Sequence, residues 1–187
     1  MSKIENDKDK QLVIGKEIFV PYLSEDKILK RVKEMGEEIS KDYRGKAPVF
    51  IGVLNGAFIF LTDLIKNIST DCEIDFFKLS SYGDAKISSG KVKLLKELNC
   101  DVEGRDIIIV EDIVDSGLSI RFIEDLMQQH KPTSMRVASL LVKPDSLRYN
   151  VKIHYIGFNI PSKFVIGYGL DYAQKYRNLR TIYTLSE

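Results

Sequence analysis

Cysteine is nearly absent from this chain: Cys72 and Cys100 are the only two, far apart and outside any CxxC spacing. That excludes a disulfide framework and, with no histidine cluster beside either, a structural zinc site. Two free thiols in a reducing compartment are expected. An excess of one charge is missing too. Against 28 basic side chains stand 27 acidic ones, a net charge of +1, so the strongly basic stripe that nucleic-acid binding needs is lacking. No apolar run suffices to cross a bilayer, since the longest, Val49 to Leu61, is interrupted by Asn55. The charged start, Met1 to Lys10, lacks the apolar stretch of a secretory signal, and cytoplasm is the expected location. Repeats, low-complexity tracts and linkers are also wanting. What remains is 187 residues, 44% of them hydrophobic, which suits one α/β domain spanning 1–187 with residues 1–10 as a disordered tail.

The most informative stretch is Ile107 to Ile120. Ile107-Ile108-Ile109-Val110 shows no polar alternation, as expected of a strand buried on both faces of a parallel sheet. Glu111 and Asp112 follow where such a strand should surface. Then come Asp115-Ser116-Gly117-Leu118-Ser119, a small-residue turn, and a helical pattern through Ile120, Ile123, Leu126 and Met127 that stops near Lys131-Pro132. In open α/β sheets ligands bind at such a junction of strand end and helix start. Amides and hydroxyls of the turn, with the helix's positive end, suit a phosphate dianion. Paired carboxylates suit a vicinal diol or a hard cation such as Mg²⁺. A ribose 5-phosphate with a metal nearby satisfies all three.

Around this centre the chain reads as alternating strands and helices. Glu17 to Val20 is a short strand ended by Pro21. Ser24-Glu25-Asp26 opens a helix with Ile28, Val32, Met35 and Ile39 on one face. Val49 to Leu54 is a buried strand, and Asn55-Gly56 leads into a helix with Phe58, Leu61, Leu64, Ile65 and Ile68 inward. Further strands are Glu73 to Ser80, Lys91 to Leu98, Met135 to Val142, Ile153 to Phe158 and Thr181 to Tyr183. Ser80 to Gly90 has no period and reads equally as a solvated hairpin loop or as a lid over a site. The chain ends, about 11–20 and 153–187, are expected to form a small cap over a mostly parallel sheet flanked by helices.

Leu54-Asn55-Gly56, Ser81-Tyr82, Glu111-Asp112-Ile113-Val114-Asp115-Ser116-Gly117, Lys143, Lys163 to Tyr168 and Gly167 to Tyr172 stand in the order of one known family. From about Phe19 to Tyr183 the chain resembles the hypoxanthine-guanine phosphoribosyltransferases, the 6-oxopurine branch of the type I phosphoribosyltransferases. The resemblance implies the type I phosphoribosyltransferase fold with its hood. It also implies transfer of a phosphoribosyl group from phosphoribosyl pyrophosphate to a 6-oxopurine base, with Mg²⁺, in a homodimer or homotetramer. Glu111, Asp112, Asp115, Ser116, Gly117, Leu118 and Ser119 would hold the sugar and its 5-phosphate, and Asp115 would act as general base. Leu54, Asn55, Gly56 and Arg177 would meet pyrophosphate, with a cis peptide before Asn55, where many members carry lysine. Lys143, Phe164, Val165 and Asp171 would bind the purine. Ser81 and Tyr82 would form the lid tip, and Glu111, Asp112 and Asp171 would be the metal ligands.

Taken singly, several of these residues have plainer readings. Glu111-Asp112 could be a solvated strand end, Phe164 core, Lys143 a surface lysine and Arg177 an ion-pair partner. His130 and His154 match no metal-ligand spacing. Two other functions compete with the enzyme: a regulatory nucleotide-binding protein on the same fold, and a phospho-accepting receiver. The first should lose Asp115 or show a basic face. The second needs its paired acids near the chain's start, whereas Glu111-Asp112 lies midway.

Overall fold

A computed structural model describes residues 11–81 and 92–186. The chain enters through strands β1 (Leu12–Ile14) and β2 (Glu17–Leu23), followed by helix α1 (Glu25–Asp42). Strand β3 (Val49–Leu54), helix α2 (Phe58–Ile65), and strands β4 (Glu73–Ser81), β5 (Val92–Lys96) and β6 (Asp106–Val114) come next. Helix α3 (Leu118–His130), strands β7 (Ser134–Val142) and β8 (Tyr155–Asn159), and the short β9 (Val165–Ile166) and β10 (Ile182–Leu185) complete the order. The large sheet runs β5-β4-β3-β6-β7-β8, parallel except for the edge strand β5. A small antiparallel sheet, β1-β2-β10-β9, is built from the two ends of the chain.

The expected periodicities are present. Ser24 caps α1 with its hydroxyl towards the Lys27 N–H, and Ile28, Val32, Met35 and Ile39 are fully buried. Alternate residues of β6 face opposite layers. Ile108 and Val110 join the α1 and α2 side, while Ile107 and Ile109 join the α3 side with Ile120 and Ile123. Burial on both faces is what an unalternating aliphatic run demands.

Four expectations need correction. β2 passes through Pro21 instead of stopping there, because β1 pairs only with Glu17 to Phe19 and the β10 register shifts beside Pro21, so a missing N–H is tolerated. In α2 it is Phe60 that turns inward; Phe58 is exposed. β6 extends to Val114, so Glu111 and Asp112 lie within it instead of surfacing at its end. Finally, β8 belongs to the large sheet, which moves the carboxyl-terminal part of the hood beyond the expected boundary at 153. The pattern does not signal β1 at all, since three residues are too few to show a period.

The chain between β5 and β6 is tied down by Asp75 of β4. Its Oδ2 accepts the N–H of Asn99 at 2.6 Å and of Cys100 at 3.0 Å, while Oδ1 accepts from the Phe76 N–H at 2.7 Å and Lys96 Nζ at 3.2 Å. Burial opposes its ionisation, but these donors outweigh it and hold the carboxyl well below its ordinary value of 3.8. A depressed folded pKa stabilises above the unfolded value and is lost as pH falls through the folded one. Asp75→Asn turns an NH₂ towards donors and should cost roughly 1.5–3 kcal/mol at pH 7. In urea melts that difference should shrink below about pH 4; a constant difference down to pH 2 would contradict it. Among the described residues, no helix is long and apolar enough to cross a membrane.

Candidate active site

At the carboxyl end of β6 the chain turns through Asp115, Ser116 and Gly117 into α3. Gly117 takes the N-cap position with φ +82°, a conformation that side chains disfavour, and has no side chain of its own to cap the helix. The Leu118 N–H donates to Ser116 Oγ at 3.3 Å. First-turn amides have no partner within the helix and, with the dipole, make an anion site. A cavity of about 90 Å³ opens here, lined by Glu111 and by residues 113–120. The bend is braced from behind: Arg148 and Tyr149 N–H groups donate to the Ser116 carbonyl at 3.0 and 3.2 Å. A Cβ at Gly117 would come within 3.0 Å of Val151 Cγ2.

Glu111 is 7% exposed, and its Oε2 has no hydrogen-bond partner among the described residues. Burial, aided by the Asp112 charge, raises its pKa well above the usual carboxylate range. Asp112 is pushed up to about 6, chiefly by burial, with the Ile113 N–H at 2.8 Å and Arg177 acting against the rise and Asp171 adding to it. A buried carboxyl oxygen without a partner needs a donor or a cation. Glu111, Asp112 and Asp171 are hard oxygen ligands of the kind Mg²⁺ takes. Among the described residues, however, no group of three or more His, Cys, Asp or Glu is placed to hold a metal by itself. Mg²⁺ keeps waters and shares phosphate oxygens, so these residues fit an ion that arrives with a phosphorylated ligand.

Two distant loops meet Asp112. The Leu54–Asn55 peptide bond is cis, as the resemblance implies. A Cβ at Gly56 would stand 1.6 Å from Asp112 Oδ2, so only glycine lets that carboxylate approach. From the hood, Gly169 approaches so closely that its Cβ would lie 2.1 Å from the Gly56 carbonyl oxygen. Arg177 holds this junction: Nη1 donates to the Gly169 carbonyl at 2.9 Å, and Nη2 pairs with Asp171 Oδ1 at 2.7 Å. Both plain and functional readings of Arg177 thus have a geometric basis, for it is paired and stands beside Asp112.

Lys143, just past β7, is paired with Asp115 Oδ2 at 2.7 Å. Its side chain is only 12% exposed against 54% for Asp115, so the ammonium is set back and the carboxylate faces out. Phe164 is 46% exposed, not core, although a phenylalanine is normally buried. Tyr172 meets it edge-on at 5.7 Å and Phe19 stands 6.2 Å away. Val165 is buried in β9, paired with Thr184. Ser81 closes β4; Tyr82 and the rest of the expected lid, through Gly90, lie outside the described residues.

Sequence reasoning missed the Lys143–Asp115 pair and the backing of Phe164 by Phe19 and Tyr172. Neither has a local signal, since the partners belong to different strands and loops. A wider cavity, about 760 Å³, lies by Lys41, Arg44 and Asp71 and contains none of these residues.

Residues 22–173 match the family described as phosphoribosyl transferase domain. Over 157 residues the chain is 48% identical to a hypoxanthine-guanine phosphoribosyltransferase of Bacillus subtilis (strain 168), covering 84% of this chain and 87% of that one. A solved hypoxanthine-guanine phosphoribosyltransferase from Bacillus anthracis, with a HEPES molecule in its active site, is similar at TM-score 0.84 and 42% identity, covering 89% and 98% of the two chains. A hypoxanthine phosphoribosyltransferase from Staphylococcus aureus gives 0.85 and 41%, with 89% and 90% covered.

Proposed function

The chain belongs to the phosphoribosyltransferase family, and on that premise we propose that it is a purine-salvage enzyme. It transfers the 5-phosphoribosyl group of phosphoribosyl pyrophosphate to N9 of hypoxanthine and guanine, giving the nucleotide and pyrophosphate. One observation carries the reading beyond family membership: the Lys143–Asp115 pair stands at the mouth of the phosphate bend, with its two charges 2.7 Å apart. A 6-oxopurine presents O6 and N7 side by side on one edge. Lys143 donates to O6 while Asp115 accepts the proton at N7 as N9 attacks. Adenine, whose 6-amino group is itself a donor, mismatches the ammonium.

Residues Asp115, Ser116, Gly117, Leu118 and Ser119 grip the 5-phosphate through amides and hydroxyls. Glu111 and Asp112 accept the ribose hydroxyls, which supply the partner that Glu111 Oε2 lacks. As the C1′–oxygen bond breaks, oxocarbenium character develops, and nearby carboxylates stabilise it. Leu54, Asn55 and Gly56 offer backbone amides, and Arg177 its guanidinium, to pyrophosphate. Glu111, Asp112 and Asp171 would hold Mg²⁺, which when bound supplies charge neutralisation at the leaving group. Phe164 stacks on the base, and Val165 and Asp171 complete its contacts. Ser81 and Tyr82 belong to a lid that excludes water from the sugar. The enzyme works in the cytoplasm as a homodimer or homotetramer; a monomer in sedimentation equilibrium at assay concentration would contradict that assembly.

The deciding assay supplies phosphoribosyl pyrophosphate, Mg²⁺ and hypoxanthine and follows formation of inosine monophosphate. Binding without turnover on any 6-oxopurine would favour the regulatory alternative instead. The Gly56 contact adds a sharper expectation. Gly56→Ala must displace Asp112 or the loop by more than 1 Å-scale slack allows, so kcat/KM for phosphoribosyl pyrophosphate should fall roughly 10²-fold. Wild-type kinetics in that variant would mean the close approach is dispensable.

A further inference from the structure

Tyr168 and Asp63 form a contact that none of the roles above uses. Tyr168 sits in the hood bend between Gly167 and Gly169, with φ +51° against +98° for each glycine. Its side chain is 3% exposed and packs in the layer that holds Phe60, Leu61, Leu64 and Leu170. A phenol in such a layer needs an acceptor. Asp63, on α2, accepts from the Tyr168 hydroxyl at 2.8 Å through Oδ2, while its Oδ1 pairs with Lys66 at 3.1 Å. Burial, and then the Asp63 carboxylate, raise the phenol's pKa far above its ordinary value, so it remains a donor throughout the working range. A carboxylate makes this bond stronger than a neutral acceptor would.

The position of this bond matters more than its strength. α2 begins directly after the Leu54-Asn55-Gly56 loop, so Asp63 is rigidly linked to the pyrophosphate side of the site. Tyr168 lies between Val165 and Asp171, on the purine side. Next to it, Gly169 rests against the Gly56 carbonyl and is held by Arg177. The flanking glycines carry no side chain, so Tyr168 is the one side chain of the Gly167-Tyr168-Gly169 bend that anchors it to α2. A phenylalanine would fill the same space without setting the distance.

We propose that Asp63 is a positioning residue which, through the Tyr168 hydroxyl, sets the purine-binding hood loop against the pyrophosphate loop. This rests on the phosphoribosyl-transfer reading. Each half-site is complete without the bond; what the bond fixes is the separation of the two, and so the approach of N9 to C1′. Misplacement of reacting groups by about 1 Å is enough to cost on the order of 10²-fold in rate.

The test compares wild type with Tyr168→Phe, Asp63→Ala, Asp63→Asn and the double variant Asp63→Ala/Tyr168→Phe. Steady-state kinetics with hypoxanthine are paired with calorimetric binding of phosphoribosyl pyrophosphate and with thermal melts. Tyr168→Phe and Asp63→Ala should lower kcat about 10- to 100-fold, with the dissociation constant for phosphoribosyl pyrophosphate within about 2-fold of wild type. The double variant should be no slower than either single one, since both remove one bond. Asp63→Asn keeps an acceptor oxygen and should restore most of kcat. The proposal is overturned if Tyr168→Phe keeps wild-type kcat, if losses in the two single variants multiply, or if kcat follows melting temperature while Asp63→Asn gives no rescue. An inactive wild type would instead remove the transfer reading itself.

Discussion

Asp115→Asn is expected to fold and to bind phosphoribosyl pyrophosphate as the wild type does, while its turnover falls roughly 10²- to 10⁴-fold. The asymmetry follows from where the carboxylate stands. Its own side chain is 54% exposed, and although Lys143 is only 12% exposed, asparagine keeps an amide oxygen that accepts from the ammonium, so the fold should hold. The amides of the bend that grip the 5-phosphate belong to the backbone and survive the change. What asparagine lacks is the ability to take a proton. Single-turnover measurements at saturating substrates, with binding followed separately by calorimetry, resolve the two effects. Wild-type turnover in Asp115→Asn would remove Asp115 from the mechanism.

Lys143→Ala should act on choice of base more than on the chemical step. A hydrogen bond from a charged donor contributes about 1.5–3 kcal/mol, so kcat/KM for hypoxanthine should drop about 10- to 100-fold. The hypoxanthine-to-adenine ratio should fall with it, because the ammonium that mismatches a 6-amino group is gone. The fold should hold, since Lys143 lies past the end of β7 and the Asp115 left behind is open to water. Competition assays with the two bases at fixed phosphoribosyl pyrophosphate provide the readout. A ratio equal to that of the wild type would move base discrimination elsewhere, to Val165 and Asp171. The two variants also separate the partners of one ion pair: Asp115 through kcat at saturation, Lys143 through kcat/KM.

Most of the large sheet was legible because its signals are local. Val49–Leu54 has the bounds expected of it, and α1 buries the four residues its period singles out. Pro21 misled for a physical reason, because proline breaks a strand only where its N–H is needed, and whether a neighbour needs it depends on a partner elsewhere in the chain. Phe58 misled likewise. In an eight-residue helix where Phe58, Ile59, Phe60 and Leu61 are all apolar, the period is too short to say which face turns in. The sequence marks the residues around Glu111 as chemistry-bearing but carries no sign of their burial, since the strand's continuation to Val114 depends on pairing with β7.

By itself the sequence determined the buried β6 run and the small-residue bend that follows it, because strand burial, the left-handed glycine and the unpaired helix amides are contiguous in the chain. Only the tertiary structure decided that Gly56 lies between Asp112 and Gly169, that Lys143 meets Asp115, and that Asp63 receives the Tyr168 hydroxyl. Those contacts join residues on separate elements. Steric fit and hydrogen bonding act on distance in space, and no period or motif along the chain encodes it.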